Sequence, residues 1–538
     1  MNYDVLIRGG LIVDGSGKPG YLGDVAVRDG KIVYAGPSGK IDGQDNARVI
    51  PAEGLVVCPG LIDAHCHTDM YAKDCPDAEG KIMQGVTTDV CGLCGDSPAP
   101  IGQDNLEEYV KRKEYRLPDA SPIRPCSFAE YRDWMNRCGN TTNMALFVGN
   151  ANLRVDAVGY GNRAASPGEL DRMKGMLRES MEAGAYGLST GLTYVPSMFA
   201  SREELTALSR VIAPFGGIYN SHMRDEADRV QESIQEVIAI ARDSGCRGHI
   251  SHLKASGAAN HGKSEMCLEL IHRAVDQGVD ITFDVYPYTA GSCGLRTLLP
   301  PEILELGLED DYEAMKNPQI LGRIRGRLGE ADWDNMLKNF GSGNIVVSAA
   351  GGNTRYEGKS IREIGESLGV DDAEAVIKVL GDTGANAGIV YHALCEEDLR
   401  RFIKDPLCTI GTDAFARSYT GPTAAGKPHP RNYGGFARMI RKYLLDERLL
   451  PLEAGIRKMT SLPAEHFGIA GRGLLKSGYE ADVMIFDPEK IRETGTFERP
   501  AVQPEGIVWV FISGDAAVER GVFRPVRRGR VLGSPVFR

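Results

Sequence analysis

The sequence predicts an α/β chain, a (β/α)8 TIM-like barrel carrying a small β-sandwich domain made from the N- and C-terminal segments. Three observations carry this expectation. Between residues 60 and 469, short apolar runs alternate with amphipathic helical patterns, the signature of βα units around a parallel sheet. Eight such runs can be counted, which is the number that closes the barrel. At both ends the texture changes to short strands broken by glycine turns, and neither end has enough strands for a good core alone.

Taken in order, residues 1–59 read as strands at Asp4–Val13, Asp24–Val33 and Ala47–Ile50, with Asp29-Gly30 as a two-residue hairpin. The same texture returns at Asp482–Phe486 and Ile507–Asp515, so residues 1–59 and 470–538 are expected to fold together. The barrel strands are expected at Leu61–His67, Thr87–Gly95, Met144–Asn152, Ala185–Leu192, Gly217–Arg224, Gly248–Lys254, Asp280–Tyr288 and Leu407–Asp413. Helix starts support this register: Ser166-Pro167 offers an N-cap followed by proline, and Ser201 to Glu204 reads as a capping box. Val230–Ile240 places Ile234, Val237 and Ile238 on one stripe, as a helix covering the barrel requires. About 120 residues separate the seventh and eighth strands. An insertion at about 289–400 lies where active sites are built in this fold, and it is expected to act as a lid or substrate wall.

Composition narrows the function. Lys+Arg 62 against Asp+Glu 73 leaves a net charge of −11, which argues against nucleic acid as a partner. There is no apolar run of membrane-spanning length, and the Met1 to Val5 start lacks the basic and apolar regions of a secretion signal. A cytoplasmic protein acting on a small molecule is expected, with homo-oligomerisation left open. The 12 cysteines are scattered and suit reduced thiols better than a disulfide framework. The 65 glycines, about 12% of the chain against a usual ~7%, point to many tight βα corners.

Chemistry concentrates at predicted strand ends. His65 and His67 are two apart on one strand and so share a face. The fifth and sixth strands end at His222 and His252, one βα unit apart, which sets two more imidazoles side by side. His249, three residues before His252, faces elsewhere and reads as structural. Asp413 after the eighth strand would, alone, read as a helix N-cap. Facing four histidines, it becomes a carboxylate suited to taking a proton from water.

With these residues stand the segments Gly60–Asp69, Gly85-Val-Thr-Thr, Gly92–Gly95, His222–Glu226, Ser251–Lys254, Asp284–Ser292 and His429–Gly434. On them the chain resembles, over essentially its whole length, the amidohydrolase superfamily, and within it the N-acyl-D-amino-acid deacylases, or D-aminoacylases. The resemblance implies a zinc-dependent hydrolase that cleaves N-acyl-D-amino acids to a carboxylate and a free D-amino acid. The fourth strand, Ala185–Tyr194, has no lysine for the bridging carbamate many amidohydrolases carry. The deacylases use instead a cysteine at the end of the second strand, where Cys94 stands; Leu93 replaces the asparagine common in the family, and nearby Cys91 reads as a buried small hydrophobe. By resemblance Cys94, His222 and His252 hold the tight zinc. His65, His67 and Asp413 form a weaker second metal position or serve the reacting water, with Asp413 as the catalytic base. Lys254, Tyr288, Ser292 and Arg431 match family positions that bind the substrate carboxylate. Arg296 matches no motif, and as a further cation it would favour an acidic side chain. Three alternatives stand beside this reading: another amidohydrolase such as a hydantoinase, D-peptidase or lactonase, a non-catalytic homologue of the same scaffold, and a cysteine-nucleophile hydrolase using Cys94 and His222.

Overall fold

A computed structural model describes residues 3–41, 47–112, 123–308, 311–330, 332–351 and 353–534. Met1 and Asn2, which entered the reading of the N-terminus, lie outside the described residues, as do short pieces of the 289–400 insertion.

Both ends of the chain build a single nine-stranded sheet. Five strands come from the first 59 residues and four from residues 483–523. Its seam is the antiparallel pairing of Val56–Pro59 with Val483–Phe486. The hairpin read at Asp29-Gly30 forms there: both residues take positive φ, 52° and 74°, and Arg28 pairs Lys31. The sheet curls over itself, because that turn meets the Ser513-Gly514 turn at the opposite end. Gly30 is required at the contact, since a Cβ would lie 2.8 Å from the Ser513 carbonyl oxygen. Val25, Val27 and Ile32 thereby share one apolar layer with Val483, Ile485, Trp509 and Phe511.

All eight barrel strands form, shorter than their apolar runs. Six lie in parallel order from Val148–Gly149 through Gly187–Gly191, Ile218–His222, Arg247–Ile250 and Ile281–Val285 to Cys408–Ile410. Leu61–Asp63, Val86–Cys91 and Asn143–Leu146 form a parallel sheet of their own. The third strand breaks at Phe147 and contributes to both runs. Closure comes at the mouth, where Ala414–Phe415 pairs in parallel with Cys66–His67 and both Thr412 and Asp413 donate backbone N–H groups to the His65 carbonyl. Of the helix caps, Ser166 with Glu169 makes a full capping box. Ser201 caps its helix by accepting from the Glu204 N–H, but the Glu204 carboxylate turns to the buried Arg154 instead of back to the cap.

The insertion after the seventh strand has a core of its own. Gly291–Gly294, Ala387–Tyr391 and Ile345–Ala350 make a three-stranded antiparallel sheet. Leu295, Ile303, Val347, Ile361 and Leu380 are among the side chains buried against it. All 12 cysteines are free. Among the described residues no helix is long and apolar enough to cross a membrane.

Candidate metal centre

Each candidate ligand sits where a barrel strand ends and the backbone turns. Cys94 (φ 52°), His252 (φ 33°) and Asp413 (φ 52°) all occupy the left-handed region that non-glycine residues avoid. Three such positions converging on one point are the mark of a functional site whose backbone is held by its surroundings. Cys94 is held because Gly92 lies so close to the third strand that a Cβ would sit 2.3 Å from the Phe147 carbonyl oxygen.

The side chains converge. Cys94 Sγ lies 3.4 Å from Nε2 of His65 and 3.4 Å from Nε2 of His252. The His222 and His252 rings are 4.6 Å apart, and the His65 and His252 rings 4.7 Å. His67 Nε2 lies 3.1 Å from Asp413 Oδ1, and His65 Nε2 3.9 Å from the same oxygen. His65 therefore belongs to two adjacent donor groups, one with Cys94 and His252 and one with His67 and Asp413. His222 Nε2 meets the Thr193 hydroxyl at 3.1 Å, while its Nδ1 is buried with no hydrogen-bond partner. A buried ring nitrogen without a partner is what a metal ligand looks like before its ion is counted.

Electrostatics agree. Burial alone would raise the Cys94 thiol, but the His65 and His252 imidazoles beside it bring it well below its ordinary value. Burial disfavours a charged His67, yet its hydrogen bonds to Asp413 and Cys94 outweigh that and lift it to about 9. Asp413 is held well below the carboxylate range against its burial, by Arg431 first and then His67. A thiolate, imidazoles and an ionised carboxylate around one point form a donor set that suits zinc.

Behind the ligands stand carboxylates that spacing alone did not assign. Asp284 Oδ1 receives His65 Nδ1 at 3.3 Å and His249 Nε2 at 3.0 Å. His249 is thus a structural residue in the layer beneath the centre, with its other nitrogen 2.7 Å from the Thr282 hydroxyl. Glu226 lies 3.0 Å from Nδ1 of His252 and accepts from Lys254 Nζ at 2.7 Å. Such partners fix ring orientation and leave the opposite nitrogen for a metal. The signal available in the sequence was a carboxylate four residues after His222.

A cavity opens onto the centre. Lys254, Ser292, Arg296 and Arg431 all line it. Arg431 reaches Asp413 Oδ2 at 2.9 Å, and Arg296 donates to the Arg112 carbonyl at 3.0 Å. Tyr288 is not brought there. Its hydroxyl donates to Glu493 from the C-terminal segment, and its ring lies under the Arg438 guanidinium at 4.8 Å. Tyr286 is the tyrosine beside the centre: its ring lies 4.8 Å from the Arg431 guanidinium carbon and 5.6 Å from Lys254 Nζ, and its buried hydroxyl has no hydrogen-bond partner. In Tyr286-Pro287-Tyr288 the sequence offers two hydroxyls and no means of choosing, because Glu493 lies some 200 residues further on.

Comparison with known proteins finds a match between residues 346–518 and the family described as the Amidohydrolase family. The chain is 33% identical to N-acyl-D-aspartate deacylase of Alcaligenes xylosoxydans xylosoxydans, over 98% of this chain and 95% of the relative. It superposes on D-aminoacylase, solved to define the functional role of its binuclear metal centre, with a TM-score of 0.82 and 31% identity over 99% of this chain and 100% of that one. N-acyl-D-glutamate deacylase of Bordetella bronchiseptica, complexed with zinc and a phosphonate that mimics the tetrahedral intermediate, gives a TM-score of 0.81 and 32% identity over the same shares.

Proposed function

The chain belongs to the N-acyl-D-amino-acid deacylase family of the amidohydrolases, and from that premise we propose that it hydrolyses N-acyl-D-amino acids, preferring those with an acidic side chain. The observation that carries the reading is the junction of the Cys94, His65, His252 group with the His65, His67, Asp413 group at the floor of a cavity lined by arginines. Zinc suits this donor set, held tightly by Cys94, His222 and His252, with a weaker second position at His65, His67 and Asp413. When bound, the ion supplies Lewis-acid polarisation of the scissile carbonyl and lowers the pKa of water.

The residues of the chain do the rest. Asp413, kept ionised by Arg431 and His67, takes the proton from the attacking water and returns it to the departing amine. Arg431, with its planar fork at the cavity wall, receives the α-carboxylate; Ser292 and Lys254 on the same lining complete its surroundings, with Tyr286 packed behind Lys254 and Arg431. Arg296, 9% exposed at the same cavity, faces a second carboxylate on the substrate side chain. The insertion supplies Ser292, Arg296, Thr297, Leu304 and Tyr391 to the lining, which supports its role as lid or substrate wall. Free thiols throughout the chain support a reducing, cytoplasmic setting.

The test is a panel of N-acetyl-D- and N-acetyl-L-amino acids with metal content measured in parallel. The zinc-loaded protein should hydrolyse N-acetyl-D-glutamate or N-acetyl-D-aspartate faster than N-acetyl-D-methionine, and Arg296→Ala should erase that preference while Asp413→Asn keeps its zinc and loses turnover. No hydrolysis of any N-acyl-D-amino acid by the zinc-loaded protein would overturn the reading.

A further inference from the structure

On the far side of the Asp413–Arg431 ion pair lies a second, smaller cavity. Ser292, Arg296, Asp413, Phe415 and Arg431 line both spaces, so the two meet at that pair. The outer wall comes from the loop after the eighth barrel strand, through Arg417, and from the insertion sheet, through Ser348, Asn386 and Gly388. Three arginines line this cavity against one carboxylate, Asp413, which Arg431 already engages at 2.9 Å.

Arg417 is the cation left over. Its Nη1 donates to the Thr423 carbonyl at 2.6 Å, and its guanidinium carbon lies 5.9 Å from the ring centres of Tyr71 and Phe415. Among the described residues no carboxylate pairs with it, and its Nε is buried without an acceptor. His429, on the same wall, adds neither charge nor a free donor: its Nε2–H is spent on the Ala290 carbonyl at 3.0 Å, and its Nδ1 accepts the Arg431 backbone N–H at 3.0 Å.

We propose that this second cavity is a carboxylate-binding chamber contiguous with the metal centre, centred on Arg417, which receives the acyl carboxylate released by hydrolysis. The proposal rests on the deacylase reading. Its chemical basis is a change of charge: the acyl group is neutral in the amide substrate and anionic in the product. A guanidinium facing away from the substrate therefore binds the acid after cleavage and gains nothing from the amide before it. That asymmetry draws the acid off the metal centre on the side opposite the open cavity.

The experiment is calorimetric titration of the zinc-loaded enzyme with acetate and, separately, with D-glutamate, alongside acetate inhibition of turnover. Arg417→Gln removes the cation, and Asn386→Asp places a negative charge at the rim with almost no change of shape. Each variant should weaken acetate binding and acetate inhibition by about tenfold, the worth of one charge-assisted hydrogen bond, with KM for N-acetyl-D-glutamate unchanged. Equal acetate affinity in the wild type and both variants would overturn the chamber. Loss of D-glutamate affinity in parallel with acetate would overturn the assignment to the acyl product, since the amino-acid carboxylate would then share the site. Acetate binding that depends on Arg417 in a protein with no deacylase activity would leave the anion chamber standing and remove its role in that reaction.

Discussion

Asp284 Oδ1 lies 3.3 Å from Nδ1 of His65, and this contact decides which nitrogen of His65 faces Cys94. With Nδ1–H donated to the carboxylate, the Nε2 lone pair points at Sγ, 3.4 Å away. The same oxygen takes His249 Nε2 at 3.0 Å, so one buried carboxylate orients two rings from different strands.

Asp284→Asn should therefore weaken zinc binding by about 10- to 100-fold, read by competition with a chelator of known affinity. The direction of its titration adds a second readout. Burial works against the Asp284 carboxylate, but His65 and His249 hold it below its ordinary value. A depressed carboxylate stabilises the fold fully above about pH 4 and loses that contribution as pH falls below it. The stability gap between wild type and Asp284→Asn should be open at neutral pH and narrow towards pH ~3. A gap that stays constant with pH would show that the loss comes from packing alone.

The two tyrosines that follow the seventh strand give opposite expectations. The Tyr286 hydroxyl is buried without a partner between Lys254 and Arg431, whereas Tyr288 is tied to Glu493 and Arg438. Tyr286→Phe should lower kcat/KM by about 10-fold or more with little change in melting temperature. Tyr288→Phe should leave kinetics near wild type and cost about 1 kcal/mol of stability, seen by denaturant unfolding. The reverse pattern would restore Tyr288 as the substrate ligand.

That contrast marks where the sequence was legible. The barrel and its terminal sheet follow from local patterns: short apolar runs, the Asp29-Gly30 turn, and βα spacing. His65, His67, His222, His252 and Asp413 were legible because strand ends in this architecture converge, whereas Cys94 was singled out from the other cysteines only by the resemblance to the deacylases. Residues that act through long-range partners were not. Glu226 and Asp284 acquire meaning only once His252, His65 and His249 lie against them, and Tyr288 is tied instead to a glutamate of the C-terminal segment. Likewise Glu204 was expected to cap its own helix and was taken by Arg154, 50 residues earlier.

A buried ionic group under the first barrel strand illustrates the same point and gives the last prediction. Lys81 is fully buried, donates to Asp63 and to the Thr412 hydroxyl at 3.1 Å, and lies 3.1 Å from Asp89. Asp63 in turn accepts the backbone N–H groups of His65 at 3.2 Å and Thr412 at 2.8 Å. One carboxylate thus fixes the chain immediately before Asp413, whose own backbone is left-handed, against the chain carrying the histidines. Asp63, Cys66 and Asp89 also form a cluster of metal-type donors, but the Lys81 ammonium already fills the space between the two carboxylates. Lys81→Met leaves two buried carboxylates uncompensated, and breaking a buried pair in this way costs about 3–5 kcal/mol. Lys81→Met should show that loss in denaturant unfolding, together with a fall in kcat, since Asp413 moves. Adding Asp89→Asn to Lys81→Met removes one of the two stranded charges, so the double variant should recover part of the stability but not the turnover. A double variant no more stable than Lys81→Met would mean that Asp89 is not ionised in the fold and that Asp63 alone balances the lysine.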